Sequence, residues 1–307
     1  MIWCVTLNPS LDVTFVVPEP WHPGMVGRAT AMDVRLGGKG HNVARTVHAL
    51  GGPVRAVTVL GGGIGRDLAA RAQVLGLPLL AEWVAEESRC CVTVVAPDAT
   101  TELRAAGPPV SPAVLQRLRD RLRAECGPED WVALSGSLPP GADPGTYADW
   151  VEALRPRVRG ILVDTSGAAL VESLKAGPTA ICPNAEEWAA VADHAVPAGT
   201  HVLLTLGRDG VRWLPPGGPV RQWRPPTVTV VNPVGAGDSF LGALIWRLHQ
   251  GDDWAGAVRW GVAVSAASVE TVGVALFDRT RAEALWTALP EEGEPEPHER
   301  DEGGDRA

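Results

Sequence analysis

Lysine is nearly missing from this chain of 307 residues: Lys39 and Lys175 stand alone, and arginine supplies the remaining positive charge. A lysine set in a glycine-rich turn is therefore more notable here than in an average sequence. No apolar run approaches the roughly 20 residues of a membrane helix, so no membrane partner is expected. The N-terminus goes straight into Ile2-Trp3-Cys4-Val5-Thr6-Leu7, without the basic region and long apolar stretch of a signal peptide. The five cysteines (4, 90, 91, 126 and 182) show no C-x-x-C spacing, which argues against a zinc or disulfide framework. They read as reduced, mostly buried thiols of a cytoplasmic protein. Excess basic charge is also lacking. The formal charge is −9, but residues 291–307 hold eight acids against two arginines, so the body is nearly neutral and nothing suggests a nucleic-acid partner.

What is present is a soluble globular composition, 45% hydrophobic and 21% charged, with ample material for a core. Short apolar segments alternate with helical patterns. Strands are expected at 2–7, 54–60, 131–134, 160–163, 180–181 and 202–206, and helices at 40–50, 64–75 and 112–125, the last opened by Ser111-Pro112. This is the rhythm of an α/β protein with a mostly parallel sheet and crossover helices on both faces. Two stretches break it. Residues 12–17 with 27–36, and 89–96 with 101–104, alternate apolar and polar residues around turns, as antiparallel strands of a small β lid would. No linker or repeat divides the chain. The expectation is one core domain over 1–289, with a lid from about 12–36 and 89–106. An acidic tail, 290–307, has too little apolar content to fold.

The stretch Val230-Val231-Asn232-Pro233-Val234-Gly235-Ala236-Gly237-Asp238-Ser239-Phe240 carries the strongest chemistry. Asn-Pro ends a strand, and glycines at 235 and 237 let successive N–H groups turn inward as an anion nest. An apolar helical run follows, whose positive end faces the same place. An acid beside a phosphate nest, Asp238, suits proton removal from an attacking alcohol. Read alone, it is more simply an N-cap after a glycine-rich turn. A second loop, Leu36-Gly37-Gly38-Lys39-Gly40-His41-Asn42, offers a close backbone approach at Gly38, a point charge in Lys39, and Asn42 one turn along the helix. A tight lid-to-helix turn with a solvated lysine also explains it.

Together, in this order and separation, the two loops resemble the paired signatures of the PfkB sugar kinases within the ribokinase-like family. Thr6-Leu7-Asn8-Pro9-Ser10-Leu11-Asp12, Thr101-Glu102-Leu103 before Gly107-Pro108, Ser135-Gly136-Ser137-Leu138-Pro139-Pro140-Gly141 and Asp164-Thr165-Ser166-Gly167 are similar to the 1-phosphofructokinase and tagatose-6-phosphate kinase branch. The likeness runs over about residues 1–289.

The resemblance implies a three-layer α/β/α fold with a lid, and ATP- and Mg²⁺-dependent phosphorylation of a phosphorylated ketohexose. Asp238 would be the base, and the N–H groups of Gly235, Ala236, Gly237 and Asp238 would stabilise the moving phosphoryl group. Asp12, Gly38 and Asn42 would contact the sugar, while Lys39, Arg89 and Ser137 would hold its phosphate. Asn184 and Glu187 would order Mg²⁺ through water; Thr205, Gly207 and Gly210 would touch the nucleotide, and 264–273 would wall the adenine. Plainer readings stand beside these. Asn184-x-x-Glu187 is also a helix capping box, Asp209-Gly210 a hairpin turn, Arg89 a solvated lid residue and 264–273 close helix packing. The sequence departs from the family pattern at Cys182, usually lysine, at Cys91, commonly asparagine, and at Pro233, often threonine or serine. A homodimer through exposed lid edges is expected as well. Of other classes, a non-catalytic sugar-phosphate sensor would have lost Asp238 or the nest. A dinucleotide-dependent oxidoreductase would need G-x-G-x-x-G where Asn8-Pro9-Ser10 stands.

Overall fold

A computed structural model describes residues 1–295. Its first strand, β1 (Ile2–Thr6), is buried along its whole length because both of its faces are covered. The chain leaves for the lid as β2 (Ser10–Val16) and β3 (Ala31–Gly37) and returns through α1 (Lys39–Ala49). β4 (Val54–Gly61), α2 (Gly62–Val74) and β5 (Leu79–Val84) follow, before β6 (Arg89–Val95) and β7 (Thr100–Arg104) complete the lid. The second wing comprises α3 (Pro112–Glu125), β8 (Trp131–Ser135), α4 (Thr146–Leu154), β9 (Gly160–Asp164) and α5 (Gly167–Lys175). It continues with β10 (Ala180–Ile181), α6 (Ala185–Ala189) and β11 (His201–Thr205). A hairpin, β12 (Val211–Leu214) and β13 (Arg221–Trp223), precedes α7 (Ala236–Gln250), α8 (Trp254–Ser268), α9 (Arg279–Ala288) and β14 (Glu294–Pro295).

The main sheet has the order β14-β13-β12-β11-β10-β9-β8-β1-β4-β5. It is parallel from β11 to β5 and antiparallel from β11 to β14. Strand order reverses at β1, between β8 and β4, and such a switch point opens a crevice beyond the carboxyl ends of the strands. Alternation along β1 divides the core. Ile2 and Cys4 join Val43 and Val47 of α1, Leu68 of α2, Phe240 and Leu244 of α7, and Val262 of α8. Trp3 and Val5 face the other way, toward Leu118 of α3, Trp150 of α4 and Leu170 of α5. The architecture is three layers, α/β/α.

The lid is a four-stranded sheet, β3-β2-β6-β7. Its hairpins β2–β3 and β6–β7 are antiparallel, but the central pair β2–β6 is parallel, a long-range pairing that alternation cannot reveal. Register sets Asp12 beside Cys91, and Cys91 beside Arg104, so three strands place one row across the lid.

β5 and β12 to β14 are strands beyond those expected from the sequence. The sequence also places residues 290–295 in a disordered tail, and this is corrected: Glu294 pairs with Gln222 and Pro295 with Arg221, while Trp223 donates its indole N–H to Pro290 O at 3.2 Å. Gly293 lies against the Trp223 ring, so the sheet edge captures a segment whose own composition is polar. The rest of that expected tail, 296–307, lies outside the described residues. No helix among the described residues is long and apolar enough to cross a membrane.

Candidate active site

The crevice over β1 holds a cavity of about 620 Å³. Asp12, Gly38, Lys39, Asn42, Arg89, Ser137, Asn184, Glu187, Thr205, Gly235, Ala236, Gly237 and Asp238 all line it. Residues from opposite ends of the chain thus meet in one chamber of a size suited to small-molecule ligands.

Its floor is the start of α7. Gly235 caps this helix at φ 82°, left-handed, and a β-carbon there would stand 2.6 Å from Val274 Cγ1, so only glycine fits. The turn before it is fixed by Asn232, which accepts from Val234 N at 3.0 Å and donates to Val272 O at 2.8 Å. Among the described residues, the amides of Gly235, Gly237 and Asp238 have no protein acceptor. Unspent donors at a helix N-terminus suit an anion.

Asp238 is 6% exposed yet lines the cavity. Burial, and then the neighbouring Asp164 carboxylate, push its pKa up to about 7, against the opposing pull of Lys39 and the Asn42 hydrogen bond. Asn42 Nδ2 donates to Asp238 Oδ2 at 2.8 Å. A carboxylate held near neutrality at the edge of an anion nest is matched to taking up a proton.

Lys39 opens α1 and gives its ammonium to Asp164 Oδ1 at 2.9 Å. Asp164 first, then Asp238 and Glu187, raise the lysine pKa above its ordinary value, so it stays charged. Asp164 ends β9, where its carbonyl accepts from Gly136 N at 2.8 Å. The sequence pattern alone assigns this aspartate no role. Its position, the last residue of a buried parallel strand, was the available signal.

The lid forms the opposite wall. Asp12 accepts from Ser10 Oγ at 2.6 Å, and burial raises its pKa more than Ser10, Arg89 and Arg45 lower it. Arg89 is committed to the backbone: Nη2 and Nε reach Asn8 O at 2.9 and 3.2 Å, and Nη1 reaches Ala105 O at 3.1 Å. It ties the lid to the body. Asn8 in turn donates to Ser137 Oγ at 3.3 Å and to Ala106 O at 3.0 Å. The lid also presents Glu102 and Arg104, an ion pair that the sequence reading did not count in the site. Pairing Arg104 with Cys91, and so with Asp12, was the missing step.

At the far end, Asn184 and Glu187 form the capping box of α6: Glu187 N donates to Asn184 Oδ1 at 2.8 Å, and Asn184 N to Glu187 Oε2 at 2.9 Å. Both still line the cavity, with one Glu187 oxygen left over. Asn184, Thr205 and Gly207 also line a second space of about 630 Å³, adjoining the first.

Gly210 lines neither cavity, although its neighbour Asp209 lines the second. Its φ is 81° and its carbonyl accepts from Leu206 N at 2.8 Å, while a β-carbon would strike Trp223 O. It serves the hairpin turn. Residues 264–273 also stay off both linings; Val264, Ala266 and Ala267 are buried in the same core cluster as Phe240 and Leu244 of α7. Ser265 Oγ reaches Ala236 O at 2.9 Å, and only the next residue, Val274, meets the cavity. Cys182 lines the cavity as a buried thiol, its pKa raised by burial, so it supplies no charge where a lysine was expected.

Comparison with known proteins bears on this constellation. Residues 6–281 match the model of the pfkB family carbohydrate kinases. A 1-phosphofructokinase of Escherichia coli strain K12 is 33% identical, the match covering 93% of this chain and 96% of that protein. One from Vibrio cholerae is 31% identical, covering 92% and 93%. The crystal structure of Escherichia coli phosphofructokinase-2 with substrates and products superposes with a TM-score of 0.86 at 26% identity, covering 94% of this chain and 99% of that one. With the match extending over nearly the whole described chain, this protein belongs to the pfkB family of carbohydrate kinases, phosphotransferases with an alcohol group as acceptor.

Proposed function

We propose that this kinase is a 1-phosphofructokinase, converting fructose 1-phosphate and ATP to fructose 1,6-bisphosphate and ADP. The observation that carries the mechanism is Asp238, a buried carboxyl with a raised pKa, beside three unspent amides in the cavity that Asp12 and Lys39 share. The substrate reading rests on the identity to 1-phosphofructokinases over nearly the full length.

Asp238 takes the proton of the attacking hydroxyl as oxygen reaches the γ-phosphorus, and ADP leaves on the far side. The amides of Gly235, Gly237 and Asp238 accept the charge spread over the transferring oxygens. Asp12, Gly38 and Asn42 orient the sugar. Its existing phosphate falls to Lys39, whose β-carbon lies beside the Gly136–Ser137 turn, and to Ser137. Lys39 exchanges Asp164 for that phosphate. Arg89 supports the same end by holding the lid root.

The donor set fits Mg²⁺ carried in with ATP. A hydrated magnesium needs only one or two protein oxygens nearby, and Asn184 and Glu187 would order it through water. Bound there, the ion would neutralise phosphate charge. Asn184, Thr205 and Gly207 would meet the nucleotide. We assign the enzyme to the cytoplasm and propose a homodimer through the lid, where Met32 and Leu103 are 64% and 65% exposed.

ADP release measured with fructose 1-phosphate, fructose 6-phosphate, tagatose 6-phosphate and free fructose tests the reading. The highest kcat/KM is expected for fructose 1-phosphate. Preference for either 6-phosphate would reassign the enzyme within its family, and sugar-phosphate binding without ADP release would favour a sensor.

A further inference from the structure

Arg45, on α1, is 8% exposed and lines neither cavity. Among the described residues no carboxylate lies within ion-pair distance of it. Its guanidinium is held by neutral oxygens alone: Nη2 donates to Val274 O at 2.9 Å, and Nη1 to Asn42 Oδ1 at 3.2 Å and Leu36 O at 3.4 Å. Burying a cation without a direct counter-charge is expensive, and a hydrophobic side chain would pack the same place at less cost. The arrangement needs another reason.

Asn42 supplies it. A guanidinium only donates and a carboxylate only accepts, so an amide between them can stand in one orientation only. Arg45 takes the Asn42 oxygen, and the Asn42 NH₂ must then face Asp238. The other arm reaches Val274, whose side chain backs Gly235 of the nest. The residue after Val274, Ala275, holds a left-handed φ of 50°, a backbone state that persists only when its surroundings enforce it. One buried arginine therefore joins the lid root at Leu36, the sugar-side Asn42 and the loop behind the nest.

We propose that Arg45 is a positioning residue of the transfer reaction, fixing the Asn42 amide so that it presents its donor to Asp238, and bracing the Val274 loop against Gly235. The inference rests on Asp238 as the base. Without Arg45 the amide is free to turn its oxygen to Asp238, which favours the protonated acid and delays its use as a base until higher pH. The charged groups around Asp238 are Asp164, Lys39 and Asp12. Those around Arg45 are Arg35, Asp12, Asp33 and Asp238. Arg45 is itself a positive charge near Asp238, so Arg45→Met moves the titration through the lost charge as well as through the amide, whereas Arg45→Lys keeps the charge and isolates the amide.

The test is kcat against pH, at saturating fructose 1-phosphate and MgATP, for wild type, Arg45→Met and Arg45→Lys. Arg45→Met should move the acid limb upward by about one pH unit and lower kcat at pH 7 by about fivefold, with recovery toward pH 9. Arg45→Lys, retaining one donor to Asn42, should move it less. In an Asn42→Ala background, Arg45→Lys should add no further shift, and this comparison serves even where Arg45→Met does not fold. Arg259→Met is the control for lost packing: Arg259 is a part-buried arginine of α8 that is held by Leu289 O at 2.6 Å and lines neither cavity. It should leave the limb unmoved. A wild-type limb in Arg45→Met and Arg45→Lys, or additive shifts in the Asn42→Ala background, would overturn the proposal. Turnover retained in Asp238→Asn would instead remove the base assignment, so the two failures are told apart.

Discussion

The two walls of the cavity are built on opposite principles. The floor around Asp238, Asn42 and Asp164 is buried, rooted in strand ends and helix starts, and closed by short hydrogen bonds within the core. The lid is half-buried along β6, exposes Met32 and Leu103, and meets solvent with ion pairs such as Arg104–Glu102 and Arg35–Asp33. Exposed pairs of that kind contribute little to stability. Its firm attachment is Arg89, through backbone carbonyls at the root. The difference teaches a division of labour. On the proposed function the reacting groups would be preorganised, and recognition would fall to a sheet able to close over the sugar and exclude water.

Replacing a floor residue should therefore damage turnover, and replacing a recognition residue should damage binding. The largest effect is expected from Asp238→Asn, which should lower kcat by about 10²–10⁴-fold, the usual worth of a positioned base, while fructose 1-phosphate still binds. A matching loss of binding, read by calorimetry, would blur the comparison. Next comes Lys39→Ala. Loss of one charge-assisted contact should raise KM for fructose 1-phosphate by roughly 10–100-fold and leave KM for free fructose nearly unchanged. Equal effects on both sugars would move Lys39 from phosphate recognition to the floor.

The smallest effect concerns stability. Between the ordinary aspartate pKa of 3.8 and about 7, folded Asp238 keeps a proton that the unfolded chain has released, so its contribution to stability falls as pH rises through that window. Asparagine never ionises. Asp238→Asn should thus raise the unfolding free energy at pH 8, by at most about 4 kcal/mol, and with it the melting temperature, and change little at pH 4. A destabilised variant at pH 8 would mean that the carboxylate is well solvated or paired, contrary to the account.

Much of the floor was legible in the sequence because its signals are local. Gly235 and Gly237 before an apolar helix, and Gly38-Lys39 before another, are short patterns with a backbone cause. The alternation that marks a lid was equally visible. What was hidden depends on register and long-range packing. Arg104 joins the site through the pairing of β7 with β6, and Asp164 through the alignment of β9 beside β8. Residues 293–295 gain order from Trp223, far away in sequence. Gly210 shows the reverse case: a glycine next to cavity-lining residues, held for a turn against Trp223 O. Asn184 and Glu187 show that a capping box and a place on the cavity wall are compatible, since the box uses one carboxylate oxygen.

The central claim is that a carboxyl with a raised pKa, Asp238, draws the proton from the sugar hydroxyl. The pH dependence of kcat at saturating MgATP and fructose 1-phosphate reads it most directly. A rise with an apparent pKa near 7, lost with turnover in Asp238→Asn, is the predicted result. A rate that stays flat from pH 8 down to pH 5 would contradict it.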